Sequence, residues 1–305
     1  MKKLVIAGGS GFLGQACSQH FATMFEKIIV LTRGESRTSN NLDYMHWDAE
    51  SLGPWASHIN HCDVLLNLTG KSVDCRYTPK NKVTILNSRV NSTTILGKAI
   101  ALAQHPPKLW LNSSTATIYR HSLDLEMCES QGEIGHGFSV EVARAWEKAF
   151  FQHPTPTTRK VALRTSIVLG PQGGAFKPLK MLVQCGLGGR QGRGNQKFSW
   201  IHLKDFLRSL EYIMEHETLV GPINIVAPQI TTNTELMKTF RNALKRPWGI
   251  PLPEWLLHLG ANIIGTETEL VLKSRNVIPK ILLNHGFTYN HPTLKSAIKN
   301  CLHRL

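Results

Sequence analysis

Short apolar runs alternate with amphipathic stretches over the first two-thirds of the chain. Residues 3–7 (KLVIA) predict a strand, and the spacing over 12–25 predicts a helix. Further strands are predicted at 27–32 (KIIVLT), at 44–47 and at 63–68 (DVLLNL). A long helix over 79–103 leads to a strand at 108–112 (KLWLN), a helix over 140–151 and a strand over 161–169 (VALRTSIVL). Strands that are apolar at nearly every position bury both faces. Separated by helices, they predict a parallel sheet covered on each side.

Beyond Gly170 the texture changes. Glycine-rich loops at 171–174 (PQGG) and 186–194 (GLGGRQGRG) flank a short helix. A strand at 198–203, a helix at 204–215 and a strand at 222–226 follow. The remainder reads as mostly helical, broken at Pro247, Pro251, Pro253, Pro279 and Pro292. No internal repeat or low-complexity segment interrupts the chain.

Composition narrows the function classes. A hydrophobic share of 42% and a charged share of 18% over 305 residues exclude wholesale disorder. No stretch has the roughly 18 apolar residues of a membrane helix. The apolar start stops at Gly8-Gly9, too early for an export signal, so a soluble cytoplasmic protein without a membrane partner is expected. None of the six cysteines stands at CxxC spacing, and free thiols are expected. His58 and His61 come nearest to a metal pair. Solvated helix histidines are the plainer reading, and no metal is expected. The net charge of +14 attracts polyanions in general. The bases are scattered apart from a cluster over 190–197, and no nucleic-acid module is recognisable, so nucleic acid is not the expected partner.

The sharpest chemical signal is Gly8-Gly9-Ser10-Gly11-Phe12-Leu13-Gly14. Its glycines fall at 8, 11 and 14, directly after one predicted strand and directly before a helix, the context of a dinucleotide-binding turn. Gly8 makes the tight turn, Gly11 lets a pyrophosphate approach the backbone, and Gly14 lets the helix pack closely. The amides and dipole at the helix start then meet the phosphates. The second strand ends Leu31-Thr32-Arg33, with no acid at its tip to hold a ribose 2′-hydroxyl. Arg33, with Arg37 nearby, suits a 2′-phosphate instead, which favours NADP(H) over NAD. The fold expected is therefore α/β, a Rossmann doubly wound parallel sheet. An NADP-binding domain over 1–169, to which 198–228 returns, is joined to a smaller, mostly helical C-terminal substrate lobe over 170–305. That lobe covers the carboxyl edge of the sheet.

The chain resembles the extended short-chain dehydrogenase/reductase superfamily. Within it, the likeness is to the epimerase family subgroup, which carries a C-terminal domain of unknown function. The likeness rests on GGSGFLG (8–14), Trp47-Asp48, NLTG (67–70), NSRVNSTTIL (87–96) and SSTATIY (113–119). It continues in ARAWE (143–147), LRTSIVLGPQGGA (163–175), FSWIHLKDF (198–206) and RNVIPKILLNHGF (275–287). The resemblance implies that Asp48 lies near the adenine and that Leu68, Thr69 and Gly70 run beside the cofactor. It also implies that Ser113-Ser114-Thr115 carries the catalytic serine or threonine, with Thr115 the chosen position. Trp200, His202 and Asp205 would border a small polar substrate, a sugar nucleotide among the candidates, with 186–189 looped over it. Homodimers are common in the superfamily.

One departure matters. Active members carry Tyr-xxx-Lys on the helix after the catalytic serine, where the tyrosine exchanges a proton with the substrate oxygen and the lysine lowers its pKa. If Glu147 takes the place of the family's downstream glutamate, Ser139 and Ala143 occupy the dyad positions, and neither can do that work. Either another group supplies the proton, or the chain binds NADP(H) without turnover, as a redox-sensing protein. Tyr119 is the first candidate donor, with a core tyrosine as its alternative. Arg76, Tyr77 and Glu129 follow.

Overall fold

Apolar side chains on both faces of successive strands build one large sheet. The computed structural model describes residues 2–39, 41–264 and 267–303. The strands, in chain order, are β1 Lys3–Ala7, β2 Lys27–Thr32, β3 Arg37–Ser39, β4 Leu42–His46, β5 Val64–Asn67, β6 Leu109–Thr115 and β7 Arg159–Thr165. They continue with β8 Ile167–Gly170, β9 Gly173–Gly174, β10 Lys197–Phe198, β11 Trp200–His202, β12 Gly221–Ile225 and β13 Thr231–Thr232. The eight-stranded sheet has the order β12-β7-β6-β5-β1-β2-β4-β3, parallel throughout except for β3 against β4. Strand order reverses beside β1, which pairs with β2 on one side and β5 on the other. Such a reversal opens a crevice at the carboxyl ends of the strands, where ligands bind in open α/β sheets.

Alternation along β1 shows how both faces are buried. Leu4 and Ile6 pack with Phe21 of helix α1 (Phe12–Phe21) and with Phe206 and Leu210. Val5 and Ala7 point the other way, into a cluster with Trp55, Trp110 and Phe150 that also takes Ile95 and Leu96 of helix α2 (Pro79–Leu102). Phe150 belongs to helix α3 (Phe138–Phe151). A separate core in the C-terminal part of the chain gathers Phe176, Trp200, Leu236, Phe240, Leu294 and Ile298. Helices there include Phe176–Gln184, Asn233–Ala243, Glu254–Ile264 and Leu294–His303.

The expected strand over 161–169 divides at Ser166. β7 stays in the large sheet, while β8 joins β11 and β9 in a three-stranded one. The expected strand at 198–203 divides similarly, since Phe198 pairs with Thr231 and Trp200 pairs with Ile167. β6 runs on to Thr115 because Ser113, Ser114 and Thr115 keep pairing with Leu163, Arg164 and Thr165. Gly221–Ile225 returns to the large sheet as its edge strand, and Leu203–Glu215 packs its apolar face on the same core as α1.

Candidate dinucleotide-binding site

Four strand ends meet at the reversal, and the glycine turn after β1 lies at their centre. Gly8 has φ +76, and a Cβ there would lie 2.9 Å from the backbone of Leu68 and Thr69, so only glycine fits. A Cβ on Gly14 would lie 2.3 Å from Gly9 Cα, and one on Gly9 would strike Val30 at 2.6 Å. Gly11 is different: its Cβ would meet nothing closer than 3.8 Å, which leaves the turn open to a ligand. Gly11 also caps α1 without a side-chain bond, and no acid stands in the first turn. The amides at the helix start thus keep their positive field for an incoming anion. Exposed Ser10 lends its carbonyl to Gln15 Nε2 at 2.9 Å. The Phe12 ring fills the space over Gly170 and Gly173, and Leu13 packs on the core.

After β2, Thr32 Oγ1 accepts from the Gly34 amide at 3.2 Å. Arg33 is exposed and has no ion pair among the described residues, whereas Arg37 lies over the Tyr44 ring at 4.3 Å. Asp48 accepts from the Glu50 and Ser51 amides, each at 2.9 Å, and from the Ser51 hydroxyl. Those donors hold its carboxyl down at about 2. After β5, buried Asn67 accepts from the Thr69 amide at 3.0 Å and donates to Asn112 at 2.7 Å. Thr93, itself held by Trp146, completes the bracing of this loop. Among the described residues Thr69 Oγ1 is buried with no hydrogen-bond partner, a hydroxyl available to a ligand. Gly70 lies against the Arg89 guanidinium, where a Cβ would approach to 3.1 Å. Burial lowers the pKa of Arg89 to about 10.

At the end of β6, Ser113 and Thr115 are half-buried, and Thr115 Oγ1 accepts from the Thr117 amide at 3.1 Å. Tyr119 lies in a buried cluster with Met127, Ala143, Val226 and Val277. It is 2% exposed, its hydroxyl donates to Asn224 Oδ1 and accepts from Arg164, both at 2.9 Å, and burial pushes the phenol pKa up. That environment corrects its reading as the proton donor, because both hydrogen-bonding capacities are used inside the core. Tyr119→Phe is expected to cost about 1–3 kcal/mol in urea unfolding, the penalty of leaving buried partners unpaired, with NADPH affinity unchanged. A variant as stable as the parent would show that water replaces the hydroxyl. The Glu129 carboxylate accepts from the backbone amides of Asn224 and Ile281 at 3.0 and 3.4 Å. Trp200 and His202 also leave the expected substrate border. Trp200, with no exposed surface, anchors the C-terminal core, and His202 Nδ1 caps Leu203–Glu215 by accepting from Lys204.

Comparison with known proteins gives this architecture its relatives. Residues 252–301 match the family described as Domain of unknown function (DUF1731). The chain is 31% identical to an epimerase family protein of Mus musculus, aligned over 98% of this chain and 99% of that one. The chain belongs to the epimerase family. A Bacillus subtilis epimerase family protein is 30% identical, over 98% of this chain and 97% of its own. The crystal structure of the human epimerase family protein with NADPH superposes at a TM-score of 0.87 and 31% identity, covering 99% and 100% of the two chains. A nucleoside-diphosphate sugar epimerase from Corynebacterium glutamicum superposes at 0.79 with 25% identity, over 99% of this chain and 58% of that one.

In this epimerase family chain, a polar cluster surrounds Ser139. Ser139 Oγ donates to Glu269 Oε2 at 2.9 Å, and the Tyr77 ring packs edge-on against neighbouring Phe138 at 4.9 Å. Lys273 Nζ lies 3.6 Å from Glu269 and donates to the Thr117 carbonyl at 3.1 Å, while Arg275 Nε donates to Thr117 Oγ1 at 3.2 Å. Burial, opposed by Ser139, leaves the Tyr77 pKa raised. Ala143, one turn on from Ser139, is fully buried. Sequence reasoning reached Tyr77 only as a secondary candidate and missed Glu269, Lys273 and Arg275. No local spacing relates residues 77, 139 and 269; only the fold does.

Proposed function

We propose that this epimerase family chain binds NADP(H) and uses it for oxidoreduction or epimerisation at a carbinol carbon of a small polar substrate, with sugar nucleotides among the candidates. The observation that carries the reading is Arg33, an exposed guanidinium following β2 with no ion pair among the described residues, together with the open, uncapped turn at Gly11 after the neighbouring strand β1. The human relative crystallised with NADPH supports it. The residues fit that cofactor: Gly8 and Gly11 leave the backbone approachable, Thr69 Oγ1 supplies a buried hydroxyl, and Arg33 supplies a charged fork for a 2′-phosphate. When bound, the nicotinamide supplies hydride chemistry. Thr115 orients the substrate oxygen. Tyr77 exchanges a proton with that oxygen, and the nearby Ser139–Glu269 pair is the polar group beside it.

Arg33→Asp tests the cofactor assignment. NADPH affinity is expected to fall by about 1.5–3 kcal/mol, a charge-assisted bond, while NADH affinity stays put. Equal losses for both in a fluorescence titration would remove Arg33 from cofactor choice. For the chemistry, purified protein with NADP(H) and a small-molecule cell extract is followed by chromatography and mass spectrometry. A metabolite altered only with protein and cofactor together names the substrate class. Tyr77→Phe is then expected to slow that conversion by roughly 100-fold or more, the usual worth of an acid–base group, with NADPH affinity retained. Unchanged turnover would exclude Tyr77.

A second reading, an NADP(H)-binding redox sensor without turnover, is favoured by Ser139 and Ala143 at the dyad positions. NADPH binding combined with an unaltered extract would move it ahead.

A further inference from the structure

Much of the basic excess is concentrated in two segments that touch. Residues 176–197 and 236–253 together hold nine Lys and Arg and no Asp or Glu. They are laced by backbone bonds: Ile250 to Gly186 at 2.9 Å, Gly189 to Ile250 at 3.1 Å, Leu252 to Arg190 at 2.9 Å and Gly192 to Leu252 at 2.8 Å. The Arg241 guanidinium closes on the Gly188 carbonyl. Among the described residues, the only carboxylate paired with any of these nine bases is Glu254, 3.9 Å from Arg193.

Large apolar side chains stand out from the same surface. Trp248 is 66% exposed and Trp255 68%, with Ile250 and Leu259 about half exposed beside them in the chain. The other five tryptophans, at 47, 55, 110, 146 and 200, are at most 5% exposed. Indoles that keep an apolar body and an N–H at the surface, with exposed Arg190, Arg193, Lys245 and Arg246 in the same joined segments, have the chemistry of an interfacial anchor. Aliphatic Ile250 and Leu259 gain from a hydrocarbon boundary and have no part in stacking on bases. That favours lipid over nucleic acid.

We propose that the surface formed by 186–193 and 245–259, which holds Arg190, Arg193, Lys245 and Arg246 against the single carboxylate Glu254, docks this protein on an anionic lipid bilayer, with Trp248 and Trp255 inserted at the headgroup level and these bases against the lipid charge. No helix of the described residues is long and apolar enough to cross a membrane, and a surface contact needs none. The proposal does not depend on NADP(H) binding.

The test uses the full chain with vesicles of phosphatidylcholine alone and vesicles containing about a third phosphatidylglycerol, in co-sedimentation at low and physiological salt. The protein is expected to sediment with the anionic vesicles and not the neutral ones, less so as salt rises. Brominated lipid should quench its fluorescence, which reports Trp248 and Trp255 because the other indoles are buried. Trp248→Ala/Trp255→Ala should keep its thermal midpoint, since both rings are exposed, lose the quenching and bind at least about tenfold more weakly. Lys245→Glu/Arg246→Glu should flatten the salt dependence. Three results would overturn the proposal: no sedimentation with anionic vesicles, binding indifferent to the two tryptophans, or displacement from the vesicles by a single-stranded oligonucleotide that itself quenches the indoles. The last would assign the surface to nucleic acid.

Discussion

Arg164→Met is expected to destabilise the protein by about 3–5 kcal/mol, because it strands a buried carboxylate. Arg164 Nε and NH2 each donate to the Glu147 carboxylate at 2.8 Å, and Ser114 Oγ adds a third bond at 2.6 Å. The two side chains are only 9% and 12% exposed, so water cannot substitute for the lost donors. Arg164 NH1 holds the Tyr119 hydroxyl as well, and Tyr119 holds Asn224, which donates in turn to the Ile278 carbonyl. One cation therefore ties α3, β7, β12 and the segment before Lys280–Asn284. Methionine keeps most of the volume and none of the donors. Urea unfolding of Arg164→Met, Glu147→Gln and the double variant gives the coupling directly. The double variant should lose clearly less than the sum of the singles, because a neutral amide no longer demands the cation. A loss below about 1 kcal/mol for Arg164→Met would mean that the carboxylate finds solvent and the pair is peripheral.

The parts legible in the sequence are those whose cause is local. An apolar run followed by glycines at 8, 11 and 14 lies within one strand, one turn and one helix, and every element of that reading is near its expected place. The helix at 79 begins where Thr78 caps it and Pro79 suits its first turn. The strand Arg37–Ser39 escaped notice because Arg-Thr-Ser buries no side chain; only backbone pairing with Leu42, Asp43 and Tyr44 makes it a strand. The divided strand at Ser166 escaped for a related reason, since apolar alternation does not say which sheet a residue joins. Trp200 and His202 belong to a motif that reads as chemistry and builds architecture, one as core and the other as a helix cap. The Ser139–Glu269 bond spans 130 residues, so no window on the chain contains it.

Gly11→Val and Gly14→Ala are expected to separate ligand binding from folding within one turn. Gly11 has ordinary extended angles, φ −78 and ψ 174, and its added side chain meets no protein atom closer than 3.8 Å. Valine should therefore fold normally, with a thermal midpoint within about 2 °C of the parent. What it fills is the approach to the amides at the head of α1. NADPH affinity should fall at least roughly tenfold, the worth of one charge-assisted bond, and further if the pyrophosphate is displaced entirely. Gly14 behaves oppositely. Its new methyl would lie 2.3 Å from Gly9 Cα, a backbone atom that cannot rotate away, so the first turn of α1 must move off the glycine turn. The expected cost is about 1–3 kcal/mol of stability, with NADPH binding weakened as a consequence of the shifted amides. Fluorescence titration and urea unfolding of both variants read the two effects separately. If Gly11→Val bound NADPH like the parent, the phosphates would lie elsewhere and the cofactor reading would fall. If Gly14→Ala kept full stability, the close contact between turn and helix would not be what positions those amides.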